Sequence, residues 1–425
     1  MTATAENPYD VAVVGAGPAG LAATASLAAE GLRVVCIAPD HPPPWPNTYG
    51  IWLDELAEVD LADCAAATWQ TARVDLGRDR GHALDRTYAL IDNDRLRETL
   101  VGRAEAHDVD WQTGVVVDAE PRGEAAPGVV DLRTRSGDPL AARLVVDATG
   151  HSRGLSQTKP AGSPGYQTAY GIVARCDGPP TEPGTMTLMD YRSGHLPDAE
   201  ANDGPPTFLY AMRREPGLWL LEETVLVARP RVSFDLLKRR LESRLAHRGI
   251  DVGEVVETER VAIPMGGELP SPDPAGGLLP FGAAARMVHP ATGYMVGRTL
   301  AAAAPMARAV ADALDAAADG EAHRGVSKGW EAIWPPELVR TRELCTFGME
   351  SLLSMGAEQT RQFFDAFFSL PQYAWSDYLS GSASPLRVAR TMLEVFASAS
   401  LEVKGRLTRS AFSSDARRLV RGLTR

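Results

Sequence analysis

The sequence predicts a mixed α/β fold that passes into a helical C-terminal region, and three observations support this prediction. Residues 9 to 40 have the pattern of a strand, a glycine-rich turn, a helix and a second strand. Residues 160 to 262 hold short strand-like runs separated by Gly and Pro, which favours an antiparallel sheet. From about residue 296 onward the pattern is mostly helical.

The glycine-rich turn lies between the first strand and the first helix. Its segment "GAGPAG" places Gly15, Gly17 and Gly20 in the spacing G-x-G-x-x-G. Such glycines permit a tight turn and let a pyrophosphate approach the backbone at the helix N-terminus. Because the motif follows a strand and opens a helix, it predicts a dinucleotide site in a Rossmann-type domain.

An acidic residue at the end of the second strand is expected to hold the ribose hydroxyls of the dinucleotide. Ala38 occupies the expected end, and Asp40 follows two residues later. Asp40 is therefore the predicted ribose ligand, and an aspartate of a surface loop is the alternative interpretation.

Two later stretches indicate which dinucleotide is bound: "LVVDATG" and "LLPFGAAARMVHPATGYMVGRTLAAA". Their candidate cofactor-binding residues are Asp147, Gly150, Gly282, Pro290 and Gly293. Together with the first motif they resemble the three-part FAD signature of the flavoprotein hydroxylase superfamily, so FAD is the predicted cofactor. In that superfamily the last segment usually reads Gly-Asp-Ala-Ala. Here Ala283 replaces the aspartate, which argues against ordinary hydroxylase behaviour.

These patterns divide the chain into five segments. The predicted FAD-binding domain has three parts, at 1–75, at 76–160 with a β-meander, and at 263–320; an antiparallel-sheet substrate domain spans 161–262, and a helical region spans 321–425. The predicted fold class is therefore α/β, with a Rossmann-type FAD-binding domain, an inserted antiparallel β-sheet substrate domain and a helical C-terminal region.

Composition excludes several classes of protein. The net charge of −12 argues against general nucleic-acid binding, which needs a basic surface. The four cysteines are far apart and lack paired metal-ligand spacing, so no metal site is predicted and a reducing cytoplasm is expected. The N-terminal residues lack the layout of a signal peptide, and no window is apolar enough for a membrane span.

Several further segments are distinctive, among them "WPNTYGIWLDELAEVDLADCAAATW", "PGYQTAYGIVA", "LLEETVLVARP", "IPMGG" and "WPPELVRTRELCTFGMESLL". They resemble the plant and cyanobacterial type of lycopene cyclase, in order, over roughly residues 9 to 400. This resemblance implies an enzyme in which reduced FAD, with NAD(P)H as reductant, assists the cyclisation of acyclic carotenoid ends without net redox change.

The resemblance also implies positions for the site. A motif like "LEET" carries an essential acid in this family, which is Glu222 here, with Glu223 beside it. The segment "NTYGIWLDE" would bring Asp54 and Glu55 to the rim of the site. Asp190, in "LMDYRSGHL", belongs to another family-like segment at the substrate or flavin, and a solvated loop residue is the alternative.

Cyclisation that begins with protonation of an alkene requires a buried carboxylic acid. Protonation of an alkene yields a carbocation, and burial or a second carboxylate keeps a carboxyl protonated near neutral pH. Adjacent strand residues face opposite sides, so we expect Glu222 to deliver the proton and Glu223 to orient the strand or flavin from the other face. A bulge would reverse or combine these roles. The alternative for Glu223 is a structural ion pair with Arg229 or Arg213.

A long polyene dissolves in membranes, so the protein is expected to dock peripherally on the inner, cytoplasmic face. Residues 401 to 425 carry seven Lys/Arg and two Asp/Glu, which suits an anionic bilayer. "LRVARTMLEVFASASL" before them fits an amphipathic interfacial helix. Phe363, Phe364, Phe367 and Phe368 are candidates for a substrate tunnel or for the docking edge. A solvated tail and a packed core stripe are the alternatives.

The sequence leaves two classes of function open. The first is an intramolecular lyase (isomerase) that converts lycopene to β-carotene or a monocyclic product, or a cyclase acting on another polyprenyl substrate. The second is an FAD-dependent monooxygenase or prenyl reductase on the same scaffold. The glutamate pair and the missing aspartate favour the first class, and steady consumption of NAD(P)H would favour the second. Oligomeric state is not predicted.

Overall fold

The structure is a computed structural model that describes residues 7–40, 43–77, 79–123, 126, 128–137, 139–151, 155, 163–316, 323–413 and 415–424. The strands are β1 (Tyr9–Val14), β2 (Val34–Ala38), β3 (Gly50–Trp52), β4 (Ala65–Trp69), β5 (Thr71–Asp75), β6 (Gly81–Leu84), β7 (Tyr88–Ile91), β8 (Asp110–Thr113), β9 (Val116–Pro121), β10 (Val130–Thr134), β11 (Pro139–Asp147), β12 (Gly165–Asp177), β13 (Thr185–Asp190), β14 (Phe208–Glu215), β15 (Leu218–Ala228), β16 (Asp251–Met265) and β17 (Leu278–Pro280).

The α-helices are α1 (Pro18–Ala29), α2 (Leu53–Ala57), α3 (Asn93–Glu105), α4 (Asp198–Asp203), α5 (Phe234–His247), α6 (Val296–Asp315), α7 (His323–Ile333), α8 (Pro336–Leu353), α9 (Ala357–Phe368), α10 (Gln372–Ser380), α11 (Pro385–Ser398), α12 (Leu401–Ala411) and α13 (Ala416–Thr424). Within the described part of the chain, no helix combines the length and apolar character that crossing a bilayer requires.

The first sheet has the strand order β8–β2–β1–β11–β10–β9, and β17 pairs with β11. Strands β8, β2, β1, β11 and β17 are parallel, whereas β9, β10 and β11 form an antiparallel meander. Val11 and Val13 on one face of β1 pack with α1 and α6, and Ala12 and Val14 pack on the other face. The predicted βαβ unit is confirmed as β1, α1 and β2.

The second sheet has the order β16–β12–β15–β14–β13–β5–β6, and only the β13–β5 pair is parallel. It extends beyond the segment 161–262 assigned from the sequence, because β16 ends at Met265 and the β5–β6 hairpin joins its edge. The alternating pattern of a strand identifies its buried face but not its partner, and β5 finds its partner in β13, more than a hundred residues later. The assigned boundaries at 160 and 320 fall outside the described residues.

A third sheet, in the order β3–β7–β4, lies beside the second. The helical C-terminal region covers one face of the second sheet: Phe364 and Phe367 of α9 share an apolar cluster with Leu220 and Leu226 of β15. Helix α5 covers the opposite face through Leu237, among others. The predicted α/β fold class with a helical C-terminal region is confirmed, and the second sheet is enclosed on both faces.

The turn between β1 and α1 provides a test of the fold. A Cβ atom at Gly20 would overlap the carbonyl oxygen of Gly15, whereas a Cβ at Gly17 would meet no atom within 4 Å. We expect Gly20→Ala to lower the free energy of unfolding by about 3 kcal/mol, since the backbone there cannot yield. Gly17→Ala, the matched control at the helix N-cap, should cost less than about 1 kcal/mol. Urea unfolding of both variants measures the difference, and equal costs would contradict this packing.

Candidate active site

A cavity of about 570 Å³ lies between the second sheet, the third sheet and helix α9. Much of its wall is apolar and includes all four phenylalanines proposed from the sequence for a substrate tunnel: Phe363, Phe364, Phe367 and Phe368. A minority of polar side chains also face it: Glu55, Tyr88, Tyr210, Glu222, Glu259 and Tyr294 among them. A mostly apolar cavity with a few convergent polar groups is the usual form of a small-molecule site.

Glu222 lies on β15 in the middle of the second sheet. Its cross-strand neighbours are Tyr210 on β14 and Gly171 on β12. A Cβ atom at Gly171 would lie 2.5 Å from Cγ of Glu222, so the glutamate side chain passes directly over this glycine. The absence of a side chain at Gly171 therefore gives the carboxyl group its room in the cavity.

The surroundings of Glu222 favour its protonated form. Burial in the cavity wall, with a further contribution from the charge of Glu259, raises the pKa of Glu222 to about 8. No hydrogen bond joins its carboxyl group to another described residue. A carboxylic acid that keeps its proton at neutral pH in an apolar cavity is suited to protonate a substrate.

Glu259, on β16, is a site residue that the sequence did not reveal. It is paired with Gly171 from the side opposite Glu222, so one row across three strands reads Glu222, Gly171, Glu259. Glu259 is buried, faces the cavity and accepts two hydrogen bonds from Thr48, one from the hydroxyl and one from the backbone N–H at 3.3 Å. Nothing in its local sequence marks this residue, because only the strand register brings it opposite Glu222.

Glu223 faces away from the cavity, as the alternation of strand residues predicts. Its carboxylate forms a bidentate ion pair with Arg244 of α5, at 2.7 Å to Nε and 2.8 Å to Nη2. Both side chains are buried. The partner is Arg244 and not the Arg229 or Arg213 suggested by the sequence, because α5 covers this face; Arg229 pairs with Glu350 instead.

Asp190 lies apart from the cavity wall. This residue ends β13, is buried and does not line the cavity. Burial alone would raise the pKa of Asp190, but hydrogen bonds and charge from Arg192 hold it below its ordinary value. Arg248 of the neighbouring segment adds a contact at 3.4 Å. Asp190 therefore belongs to an ion-pair network, and its polar atoms are not available to the cavity.

Asp54 and Glu55 begin helix α2, and only Glu55 lines the cavity. Burial raises the pKa of Glu55 to about 7, against the opposing charge of Arg86. Arg86 donates to Glu55 at 3.2 Å and holds the exposed Asp54 with two bonds of 2.8 and 2.9 Å. The two acids are therefore joined through Arg86, with Glu55 in the cavity wall and Asp54 exposed outside it.

Three tyrosine hydroxyls complete the polar part of the cavity. The hydroxyls of Tyr88 and Tyr210 are 3.1 Å apart, and Tyr294 lies close enough to Tyr88 to influence its titration. Burial raises the pKa of all three tyrosines well above the ordinary value, so they remain neutral. They therefore offer hydrogen bonds and aromatic faces without adding charge.

The three segments of the predicted FAD signature meet at the C-terminal edge of the first sheet. Gly15 has a φ of +110°, and a Cβ there would lie 2.5 Å from the carbonyl oxygen of Ala148, just after β11. A Cβ at Gly282 would lie 2.6 Å from Cβ of Ala19 in α1. Gly17 is the N-cap residue of α1, no side chain hydrogen-bonds to this helix end, and a Cβ at Gly17 would meet no atom within 4 Å. This arrangement leaves a helix N-terminus accessible to an anionic group.

The remaining candidate cofactor residues have distinct placements. Asp147 is buried and accepts hydrogen bonds from Thr149 and from the backbone of Leu155, so it fixes the turn that follows β11. Asp40 is exposed in a bend just after β2. Gly150 and Gly293 have positive φ, Gly293 lines the cavity, and Pro290 is buried. Among the described residues, no group of three or more His, Cys, Asp or Glu side chains is arranged to hold a metal ion.

Comparison with known proteins places the chain in a family. Residues 10–404 match the family model described as lycopene cyclase protein. The chain belongs to the lycopene cyclase family. It is 43% identical over 375 residues to a chloroplastic lycopene beta cyclase of an Oncidium hybrid cultivar, covering 87% of this chain and 77% of that protein. The match identifies this family member as a lycopene β-cyclase-like enzyme and confirms the resemblance seen in the sequence.

Bacterial relatives match over nearly their whole lengths. A lycopene beta cyclase of Synechococcus elongatus is 37% identical over 402 residues, covering 93% of this chain and 95% of that protein. A protein of Deinococcus radiodurans described as an uncharacterized carotenoid cyclase is 39% identical over 407 residues, with 96% and 94% covered. The sequence similarity to these proteins therefore extends over most of the chain.

Solved structures share the fold at much lower identity. A geranylgeranyl bacteriochlorophyll reductase-like protein of Thermoplasma acidophilum superposes with a TM-score of 0.67 at 17% identity, covering 95% of this chain and 99% of that chain. An aklavinone-11 hydroxylase, solved in a ternary complex with FAD and aklavinone, gives a TM-score of 0.56 at 18% identity over 81% and 68% of the two chains. The family member thus shares the overall fold of these proteins.

The neighbouring glutamates provide a paired test of the site. Glu223→Gln leaves the Arg244 charge buried without its partner, so we expect it to lower the free energy of unfolding by about 3 kcal/mol or more. Glu222→Gln should act in the opposite direction. A folded-state pKa raised from 4.5 to about 8 costs stability increasingly as the pH rises between these values.

Glu222→Gln is therefore expected to stabilise the protein by about 3 to 4 kcal/mol near pH 7 to 8, and by less than about 1 kcal/mol at pH 5. Denaturant unfolding at the two pH values measures both variants. If Glu222→Gln lowers the free energy of unfolding at pH 8, the raised pKa of Glu222 is contradicted. If Glu223→Gln leaves the free energy of unfolding unchanged, the buried ion pair is contradicted.

Proposed function

We propose that this enzyme binds FAD and cyclises the acyclic ends of lycopene, or of a closely similar polyene, without net redox change. The observation that carries this proposal is Glu222, an acid in the wall of a largely apolar cavity whose pKa is raised to about 8. Membership of the lycopene cyclase family supports the substrate class. The products expected are β-carotene or a carotenoid with one ring.

The residues of the glycine turn fit FAD. Gly17 leaves open space at the N-terminus of α1, where backbone N–H groups attract a pyrophosphate, and Asp40 lies after the adjacent strand for the ribose. Gly293 and Ala283 face the cavity from the third segment of the signature. FAD, kept reduced by NAD(P)H, would supply negative charge beside a developing carbocation.

The chain's own residues then account for the proton chemistry. Glu222 transfers its proton to the terminal double bond of the polyene, so that a C–H bond forms and a tertiary cation results. The neighbouring double bond attacks the cation and closes a six-membered ring. Aromatic faces such as those of Tyr210 and Phe364 in the cavity wall stabilise positive charge and exclude water. Loss of a proton from the ring ends the reaction.

A product assay tests this function. We expect the purified protein, incubated without oxygen with FAD, NADPH and lycopene in liposomes, to form a product of unchanged mass with a shorter chromophore. Glu222→Gln should lower the rate by about 10²-fold or more, because an amide cannot donate the proton. Glu257→Gln, at an exposed carboxylate on β16, is the matched control and should retain the wild-type rate. Chromatography with mass detection measures the product.

The pH dependence has a defined sign. Glu222 must be protonated to react, so kcat/KM should fall as the pH rises through about 8. Products shifted by the mass of oxygen or hydrogen, with NAD(P)H consumed in each turnover, would contradict cyclisation and favour a monooxygenase or prenyl reductase. If the enzyme cyclises a shorter prenyl chain but not lycopene, the proposed reaction stands and the proposed substrate is wrong.

We further propose that the enzyme takes this substrate from a membrane surface through helix α11. Leu386, Leu393 and Phe396 are exposed on one side of this helix, and Leu401 and Phe412 are 87% and 86% exposed at the ends of α12. Helix α11 packs against α9, whose phenylalanines line the cavity. The basic residues of α12 and α13 suit an anionic bilayer, at about 1 kcal/mol each near the surface.

A vesicle-binding assay tests this surface. Replacing both Leu386 and Leu393 by Asp removes two side chains that would enter the bilayer, each worth about 1.5 kcal/mol or more. We expect binding to vesicles with anionic lipids to weaken by at least about tenfold. Val117→Asp is the control, because Val117 is similarly apolar and exposed but lies on β9 of the first sheet. Equal binding of the two variants would contradict docking through α11.

A further inference from the structure

The row of Glu222, Gly171 and Glu259 places two carboxyl groups on one wall of the cavity. Gly171 is paired with Glu222 on one side and with Glu259 on the other, so the two glutamate Cα atoms are two interstrand spacings, or about 10 Å, apart. Both side chains face the cavity. Because Gly171 has no side chain, Glu222 extends over it in the direction of Glu259.

The two carboxyl groups have different hydrogen-bond surroundings. Glu259 accepts bonds from both the hydroxyl and the backbone N–H of Thr48, and donors of this kind stabilise a carboxylate. Glu222 accepts no such bond from any described residue. A pair of acids whose surroundings differ in this way is suited to hold one proton between them, with one member as acid and the other as base.

The proposed reaction needs both roles at nearly the same place. In the formation of a β-ring, the carbon that receives the proton and the carbon that loses one are both bonded to the same ring carbon. Donor and acceptor must therefore reach two positions of one ring that are separated by a single ring carbon. Two carboxyl groups separated by a single glycine on one strand row meet this requirement.

We propose that Glu259 is the base that ends the reaction, an inference that rests on the proposed cyclisation. The O–H bond of Glu222 breaks as the alkene gains its C–H bond, and the ring closes by formation of a C–C bond. A C–H bond of the ring then breaks, its electron pair forms the ring double bond, and the proton goes to Glu259. Transfer of this proton to Glu222 across Gly171 restores the starting state, so no external acid or oxidant is consumed.

Other cavity groups are less suited to this role. Glu55 is engaged by Arg86 at 3.2 Å and lies on α2, away from the strand row. Tyr88 and Tyr210 share a hydrogen bond between neutral hydroxyls. Thr48 adapts to either state of Glu259, because a hydroxyl that donates to a carboxylate can rotate and accept from a carboxylic acid.

The test compares product distributions of the FAD-loaded enzyme with lycopene. Glu259→Gln keeps the proton donor but removes the base, so the cation should lose a proton from another carbon or capture water. We expect the rate to fall by about 10²-fold or more, and the fraction of β-ring product to fall at least about tenfold in favour of other ring isomers or hydrated products. Glu257→Gln, two residues away and exposed, should leave both quantities unchanged.

The conservative variant separates chemistry from folding. Glu259→Asp keeps a carboxylate, so it should form β-ring product at a rate about tenfold or more below wild type. If Glu259→Gln fails to fold, the product of Glu259→Asp tests the proposal instead.

The proposal would be overturned by a Glu259→Gln enzyme with the wild-type rate and product. It would also be overturned if Glu259→Asp formed mainly other isomers, or if Glu55→Gln alone shifted the products away from the β-ring. If wild type forms no ring at all, the proposed function fails first. Cyclisation that depends on Glu222 but not on Glu259 removes this inference alone.

Discussion

A single glycine determines how the polar part of the cavity is built. The side chain of Glu222 passes over Gly171, and any larger residue there would occupy the space of its Cγ atom. Without that space the carboxyl group would have to leave the apolar wall, where burial and the charge of Glu259 keep it protonated. The acid, its cross-strand partner and the shape of the cavity around both therefore depend on a backbone position that carries no functional group.

The sheet separates the proposed proton donor from a structural carboxylate within two consecutive residues. Glu222 faces the cavity, whereas Glu223 faces α5 and is neutralised by Arg244 in a bidentate pair. A carboxylate that is ion-paired and hydrogen-bonded is fixed in position, but it is ionised and cannot act as a proton donor. An unpaired carboxyl in an apolar wall is unstable as an anion and therefore holds its proton. The same strand is thus held by an ion pair on one face and presents the proposed proton donor on the other.

The sequence predicted the parts of the molecule that depend on local patterns. The glycine spacing at 15 to 20, the alternation that separates Glu222 from Glu223, and the helical character beyond 296 all appear in the structure. Features that depend on register were missed. Nothing in its own strand marks Glu259, which is brought opposite Glu222 by the strand register. Arg244 lies on α5, and only tertiary packing brings that helix against Glu223. The ion pair of Asp190 with Arg192 was likewise not apparent from the local pattern. Local sequence does not encode which strands become neighbours.

The proposed chemistry requires Glu222 to hold a proton at neutral pH inside the cavity. Infrared difference spectroscopy tests this protonation state directly. We expect a carbonyl-stretch component of a protonated carboxylic acid that titrates away near pH 8, apart from any component of Glu55 near pH 7; it should be missing from Glu222→Gln but present in Glu257→Gln. If the component that titrates near pH 8 is absent from the wild type, or persists unchanged in Glu222→Gln, then Glu222 is not the protonated acid and the proposed route of the proton is wrong.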